Sequence, residues 1–230
     1  MCDDTTKLNK SKLGTKQYWD QFYELEKKNF EENPEDTGEC WFADNDAEAN
    51  MVEFLMENVG QHRISQNCSI LDLGTGNGHL LFQIFEEGFQ GKLVGVDYSE
   101  HSVQFANEIL KNKYNGDTHL SFHTADIFDH SWAPGQFDVV LDKGTLDAIA
   151  LSGLALEGGK TVVEAYSSVI ESLLPPNGVF LITSCNFTQD ELIKIIESDN
   201  LKVWNTIEYP VFEFGGVKGT TICSVAFKMQ

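Results

Sequence analysis

From Ser69 onward the chain alternates between two periodicities. SILDL (69–73), KLVGVDY (92–98), LSFHTAD (120–126), FDVVLDK (137–143) and VFLITSC (179–185) are short apolar runs, and amphipathic stretches such as HLLFQIFEEG, HSVQFANEILKNK and TVVEAYSSVIESLL lie between most of them. Strands alternating with helices predict an α/β fold, a doubly wound parallel sheet with helices on both faces. The tail breaks the rhythm. LKVWNTIEYPVFEF and TTICSVAF are joined by GGVKG with no helix between them, which predicts a hairpin and hence an antiparallel strand in an otherwise parallel sheet.

Ligands of such sheets sit at the carboxyl ends of the strands, so the strand tips are the places to inspect. The first tip is LDLGTGNG (71–78). Gly74 and Gly76 allow a tight turn and bring bare backbone against a ligand, with Asp72 beside them, and Gly78 lets helix and strand pack closely. The second tip, VGVDYS, ends in Asp97, where a carboxylate can accept both hydrogen bonds of a ribose diol. The third, HTADIF, places Asp126 and the backbone of Ile127 and Phe128 where an adenine edge could be read. The turn is spaced G-x-G-x-G, whereas dinucleotide binders carry G-x-G-x-x-G, which weighs against a nicotinamide oxidoreductase.

Before this alternating region, TKQYWDQFYELEKK (15–28) predicts a helix with Tyr18, Phe22 and Leu25 along one stripe, ended by NPEDTGE. Asp44 or Asp46 is positioned to cap a second helix bearing Met51, Phe54, Leu55 and Val59. Near the end, Thr188 and Glu191 have the spacing of a capping box.

Composition sets outer limits. A chain of 230 residues that is 41% hydrophobic can bury one sizeable core. With 16 Lys and Arg against 36 Asp and Glu, the net charge of −20 opposes a direct grip on nucleic-acid phosphates and suits a basic protein partner. The five cysteines are scattered without any C-x-x-C pair, which predicts reduced thiols. MCDDTTKLNK has no apolar core of a signal peptide and no stretch approaches a membrane span, so a cytoplasmic protein is expected and the sequons at Asn67 and Asn186 are expected to be unused. His119 and His123 are four apart but fall on a predicted strand without an acidic partner motif, and no metal is expected there.

LDLGTGNG, VGVDYS, TADIF and the final hairpin resemble the motifs of the class I, seven-strand Rossmann-like methyltransferases that use S-adenosylmethionine, from about Trp41 to the end of the chain. The resemblance implies residues 1–40 as an N-terminal arm and helix on the cofactor side and 41–230 as the methyltransferase domain. It further implies a cofactor site made by Trp41, Asp72, Gly74, Gly76, Asp97, Tyr98, Asp126, Ile127 and Asp142. The fourth tip, LDKGTLDA, lacks the Pro-Pro-aromatic that nucleic-acid base methylases carry there. Together with KQYWDQFYELE, TGECWF and SCNFTQDEL, it resembles the lysine methyltransferases of translation elongation factor 1-alpha, most of all the fungal members. That implies an enzyme acting on a basic protein; methyl transfer from this cofactor needs no metal, and with no coiled coil or long apolar edge evident a monomer is expected. Asp142 is expected to face the sulfonium and the entering amine, with Trp41, Phe187, Tyr18 or Trp19 as pocket walls; the competing reading has Asp142 only cap the following turn, with Lys143 as its ion-pair partner, and Asp147 is assigned to the turn. A scaffold that keeps the fold without catalysis is the remaining alternative.

Overall fold

In the computed structural model, residues 6–156, 158–214 and 217–230 are described. The chain forms β1 (Ile70–Leu73), β2 (Leu93–Asp97), β3 (Leu120–Thr124), β4 (Val139–Lys143), β5 (Val179–Ser184), β6 (Leu201–Ile207), β7 (Phe212–Phe214), β8 (Val217–Gly219) and β9 (Cys223–Met229). Seven of these make one sheet in the order β3-β2-β1-β4-β5-β9-β6. All its pairings are parallel except those of β9, which runs antiparallel to both neighbours. The expected hairpin is thus present but interrupted: β7 and β8 form a separate two-stranded ribbon between β6 and β9. The Gly215-Gly216 pair of the expected turn lies outside the described residues.

The helices are α1 (Lys16–Glu32), α2 (Ala47–Glu57), α3 (His79–Glu86), α4 (Glu100–Lys113), α5 (Thr145–Ser152), α6 (Val162–Leu173) and α7 (Gln189–Ile196). The two-residue period of the strands sorts the core into two layers. Ile70, Val139, Leu141, Val179 and Leu181 pack with side chains of α1 to α4. Leu71, Leu73, Val140, Phe180 and Ile182 pack with side chains of α5 to α7. Both faces of the central strands are therefore covered, as a parallel sheet requires.

Several helix ends are set by local chemistry. Thr188 and Glu191 form the capping box read from their spacing, and Thr161 and Glu164 form another at the start of α6. The second helix departs from expectation: Asp46 stands at its N-terminal boundary with φ of 52° and makes no side-chain cap, and Val59 lies beyond its end and is exposed. The stripe predicted on α1 is also displaced. Leu25 is 58% exposed, and the helix buries Tyr23 and Phe30 instead, with Phe30 meeting Phe105 of α4 at 5.7 Å between ring centres. With aromatic residues on more than one side of α1, the choice of face is decided by the partner helix.

Candidate active site

A cavity of about 350 Å³ opens at the carboxyl ends of β1, β2 and β4, where the sheet reverses its order on either side of β1. Its wall combines the turn Gly74–Asn77, the tip residues Asp97 and Tyr98, the Ala125–Phe128 segment after β3, and the first turns of α5. Leu13, Gly14, Trp19 and Tyr23 cover it from the amino-terminal side. Eight residues named from the sequence, Trp41, Asp72, Gly74, Gly76, Asp97, Tyr98, Asp126 and Ile127, meet on this one cavity.

The turn is built for close approach. Gly74 and Gly76 have φ of 65° and 58°, and a Cβ at either would collide, at Gly74 with the Thr145 side chain and at Gly76 with the Tyr23 hydroxyl. Asp97 is held by the backbone N–H groups of Gly76 (3.1 Å) and Ser99 (2.9 Å). Burial nevertheless raises its carboxyl above the usual range, and pushes Asp72 up to about 7.

Asp142 does not reach the cavity. It is fully buried, and its carboxylate accepts from the amides of Thr145 (2.7 Å) and Leu146 (3.0 Å) and from the Tyr166 hydroxyl. The reason is strand parity. Asp142 is in register with Leu73, so it points with Leu73 and Val140 into the α5–α7 layer, whereas Asp72 is in register with Leu141 and Gly95 and points to the other face. Instead of facing an amine, Asp142 holds the start of α5 to α6, and burial pushes its carboxyl up to about 7 against those three donors.

Its neighbours exchange roles too. Lys143, one position on, faces the α2 layer and pairs with Glu48 at 3.1 Å, donating as well to the Trp41 carbonyl at 2.9 Å. It is not the partner of Asp142. Asp147, assigned to the turn from sequence, lines the cavity while 95% buried, because the short helix α5, absent from the sequence reading, turns it inward. Trp19 and Trp41 are on the wall as expected, but Phe187 is packed in the α5–α7 layer and Tyr18 lies off the cavity.

Glu48 and Phe42 also line the cavity and were not foreseen. Cys40, Glu48 and His79 bring three donor atoms within 4.8 Å of one another, with one Glu48 oxygen already taken by Lys143. His119 and His123 play no part in this grouping; His119 bonds Asp117 at 2.8 Å.

The charges on the wall identify the kind of ligand it suits. Glu39, Glu48, Asp72, Asp97, Asp126 and Asp147 line it with a single cation among the described residues, Lys143, which is already paired. Such a site repels a pyrophosphate and suits a nucleoside that carries positive charge.

Comparison with known proteins agrees. Residues 64–216 match the methyltransferase domain family. The chain is 60% identical over 98% of both lengths to the protein-lysine N-methyltransferase EFM4 of Saccharomyces cerevisiae. The chain belongs to the S-adenosylmethionine-dependent protein-lysine methyltransferases. It is also 34% identical to EEF1A lysine methyltransferase 2 of Homo sapiens, over 95% of this chain and 87% of that one. The fold is shared with magnesium protoporphyrin IX methyltransferase from Synechocystis (TM-score 0.57, 14% identity, 90% and 97% of the two chains). Membership of this family, with the acid-lined wall, disfavours both the oxidoreductase and the inert scaffold.

Proposed function

We propose that the protein transfers methyl groups from S-adenosylmethionine to a lysine side chain of translation elongation factor 1-alpha. The observation that carries the reading is the cavity wall, six carboxylates around a glycine cradle with its lone lysine already neutralised, in a chain close to two named methyltransferases along nearly its whole length.

When bound, the cofactor supplies an activated methyl group, so the protein's own work is to position and desolvate. Asp97 is set to take the ribose hydroxyls, fixed in place by two amides. Asp126, with Ile127 beside it, flanks the base, while Asp72 and the bare backbone at Gly74 and Gly76 meet the amino-acid portion. Trp41 and Tyr98 complete the apolar wall. From the arm 1–40, Leu13, Gly14, Trp19 and Tyr23 cover this site, and 41–230 acts as the catalytic domain.

A net charge of −20 favours a basic protein partner over nucleic acid. We read the enzyme as a monomer that works in the cytoplasm. Among the described residues no helix is long and apolar enough to cross a membrane.

The test is to incubate the purified protein with labelled S-adenosylmethionine and recombinant elongation factor 1-alpha. Label on a single tryptic peptide containing lysine is expected. Stoichiometric cofactor binding with no label in that protein would overturn the choice of substrate.

A further inference from the structure

Asp147 is a buried carboxylate with hydrogen bonds but, among the described residues, no counter-ion. It accepts from the Ser184 hydroxyl and from the amides of Cys185 (2.9 Å) and Asn186 (3.3 Å), which fix it against the loop after β5. The cation closest in sequence, Lys143, is committed to Glu48 and the Trp41 carbonyl. An ionised carboxylate removed from water is stabilised by a cation that arrives to meet it.

Beside it on the cavity wall, Phe42 packs closely on Gly144. Gly144 has φ of 81° and no side chain, and the position its Cβ would take is 3.0 Å from the ring edge of Phe42 and 4.0 Å from Oδ2 of Asp147. An aromatic edge and a carboxylate oxygen thus flank one glycine on the cavity wall. Phe42 is held there at a cost, with φ of 67° in the left-handed region that bulky residues rarely occupy. Strain of that kind persists where the surroundings impose a particular direction on a side chain.

We infer that this is the acceptor slot: the target lysine enters the cavity with its aliphatic stem against the Phe42 ring and places its nitrogen on the Asp147 carboxylate. The inference rests on the protein-lysine reading above and names the residues that receive the amine. Asp147 then aligns the nitrogen toward the cofactor side of the cavity, bordered by Gly74 and Asp72. The same slot disfavours a flat base, since the Phe42 edge, and not its face, is turned to Gly144.

The test measures Asp147→Asn and Phe42→Leu separately. For each, the affinity for S-adenosylhomocysteine is taken by calorimetry and methyl transfer to elongation factor 1-alpha by steady-state kinetics. Asp147→Asn is expected to keep the affinity within about threefold and lower kcat/KM at least 50-fold; Phe42→Leu is expected to raise KM about tenfold with the affinity unchanged. Should Asp147→Asn fail to fold, Phe42→Leu still decides. Activity within threefold of wild type in either variant overturns the slot, as does loss of cofactor affinity in step with activity. A wild-type protein that leaves elongation factor 1-alpha unmodified refutes instead the substrate reading on which the slot rests.

Discussion

The ammonium group of Lys143 lies 3.1 Å from Oε1 of Glu48, an ion pair almost out of solvent that ties the tip of β4 to α2. Buried pairs are worth little against an apolar pair of equal volume, but removing one partner leaves the other charge stranded. Glu48→Gln or Lys143→Met alone is expected to cost about 3–5 kcal/mol. The double variant should recover much of that loss, which denaturant titration of all four proteins will show.

Asp142 gives a second prediction, opposite to that for a catalytic acid. Asn in its place turns an NH₂ donor toward one of the three donors from which the Asp142 carboxylate accepts, so Asp142→Asn should destabilise the fold by about 1–3 kcal/mol. Once folded, the variant should bind S-adenosylhomocysteine within threefold of wild type. A tenfold loss of affinity in a fully folded variant would contradict the capping role.

Stability should depend on pH through the same group. Its carboxyl moves from an ordinary 3.8 to about 7 on folding, so the folded state holds the proton more tightly. The stabilisation is full below about 3.8 and is lost as pH rises toward 7. Wild type gains from Asp142 on going from pH 7.5 to 5.5, and Asp142→Asn does not. The gap between their urea midpoints should therefore widen on acidification.

Asp97 lies on the cavity, and its two amide donors would hold an Asn oxygen almost as well on one side only. Asp97→Asn should weaken S-adenosylhomocysteine at least tenfold by calorimetry, with a melting temperature within a few degrees of wild type.

Gly14 supplies a test of the cover. A side chain there would run into the backbone of Leu151 and Ser152, so Gly14→Val should lift the amino-terminal segment off α5. Faster release of S-adenosylhomocysteine in stopped-flow, with far-UV circular dichroism unchanged, is the expected result.

Much of this molecule could be read from its residues, and the failures have physical causes. The strands at 69–73, 92–98 and 137–143 were visible as apolar runs, and the glycine cradle was visible because glycine adopts positive φ without strain and leaves the backbone bare. The C-terminal capping box was visible because its two members are local. Helix α5 was missed: TLDAIALS is short, and its amides are capped by Asp142 from within the preceding strand. The exchange between Asp142 and Asp147 followed from that omission. Strand parity was available in VVLDK, where Asp142 shares a face with Val140, but the layer receiving that face became evident only with Tyr166 of α6 in place. Glu48 was invisible for another reason, since an acidic residue in the first turn of a helix ordinarily marks a solvated end, and its partner comes from a strand far along the chain.

The cover of the cavity is made from the earliest described part of the chain, while its seat is made much later. The Ser11 amide bonds the Leu151 carbonyl at 3.0 Å, about 140 residues further along, and the Trp19 indole fixes the Leu13 carbonyl at 2.7 Å. During synthesis the opening segment must wait for α5 to emerge before it has anything to close upon. Joining ends so far apart adds only a logarithmic entropy cost, but the contact is non-local. The cavity therefore lacks its cover until at least the first 152 residues, two thirds of the chain, have been made.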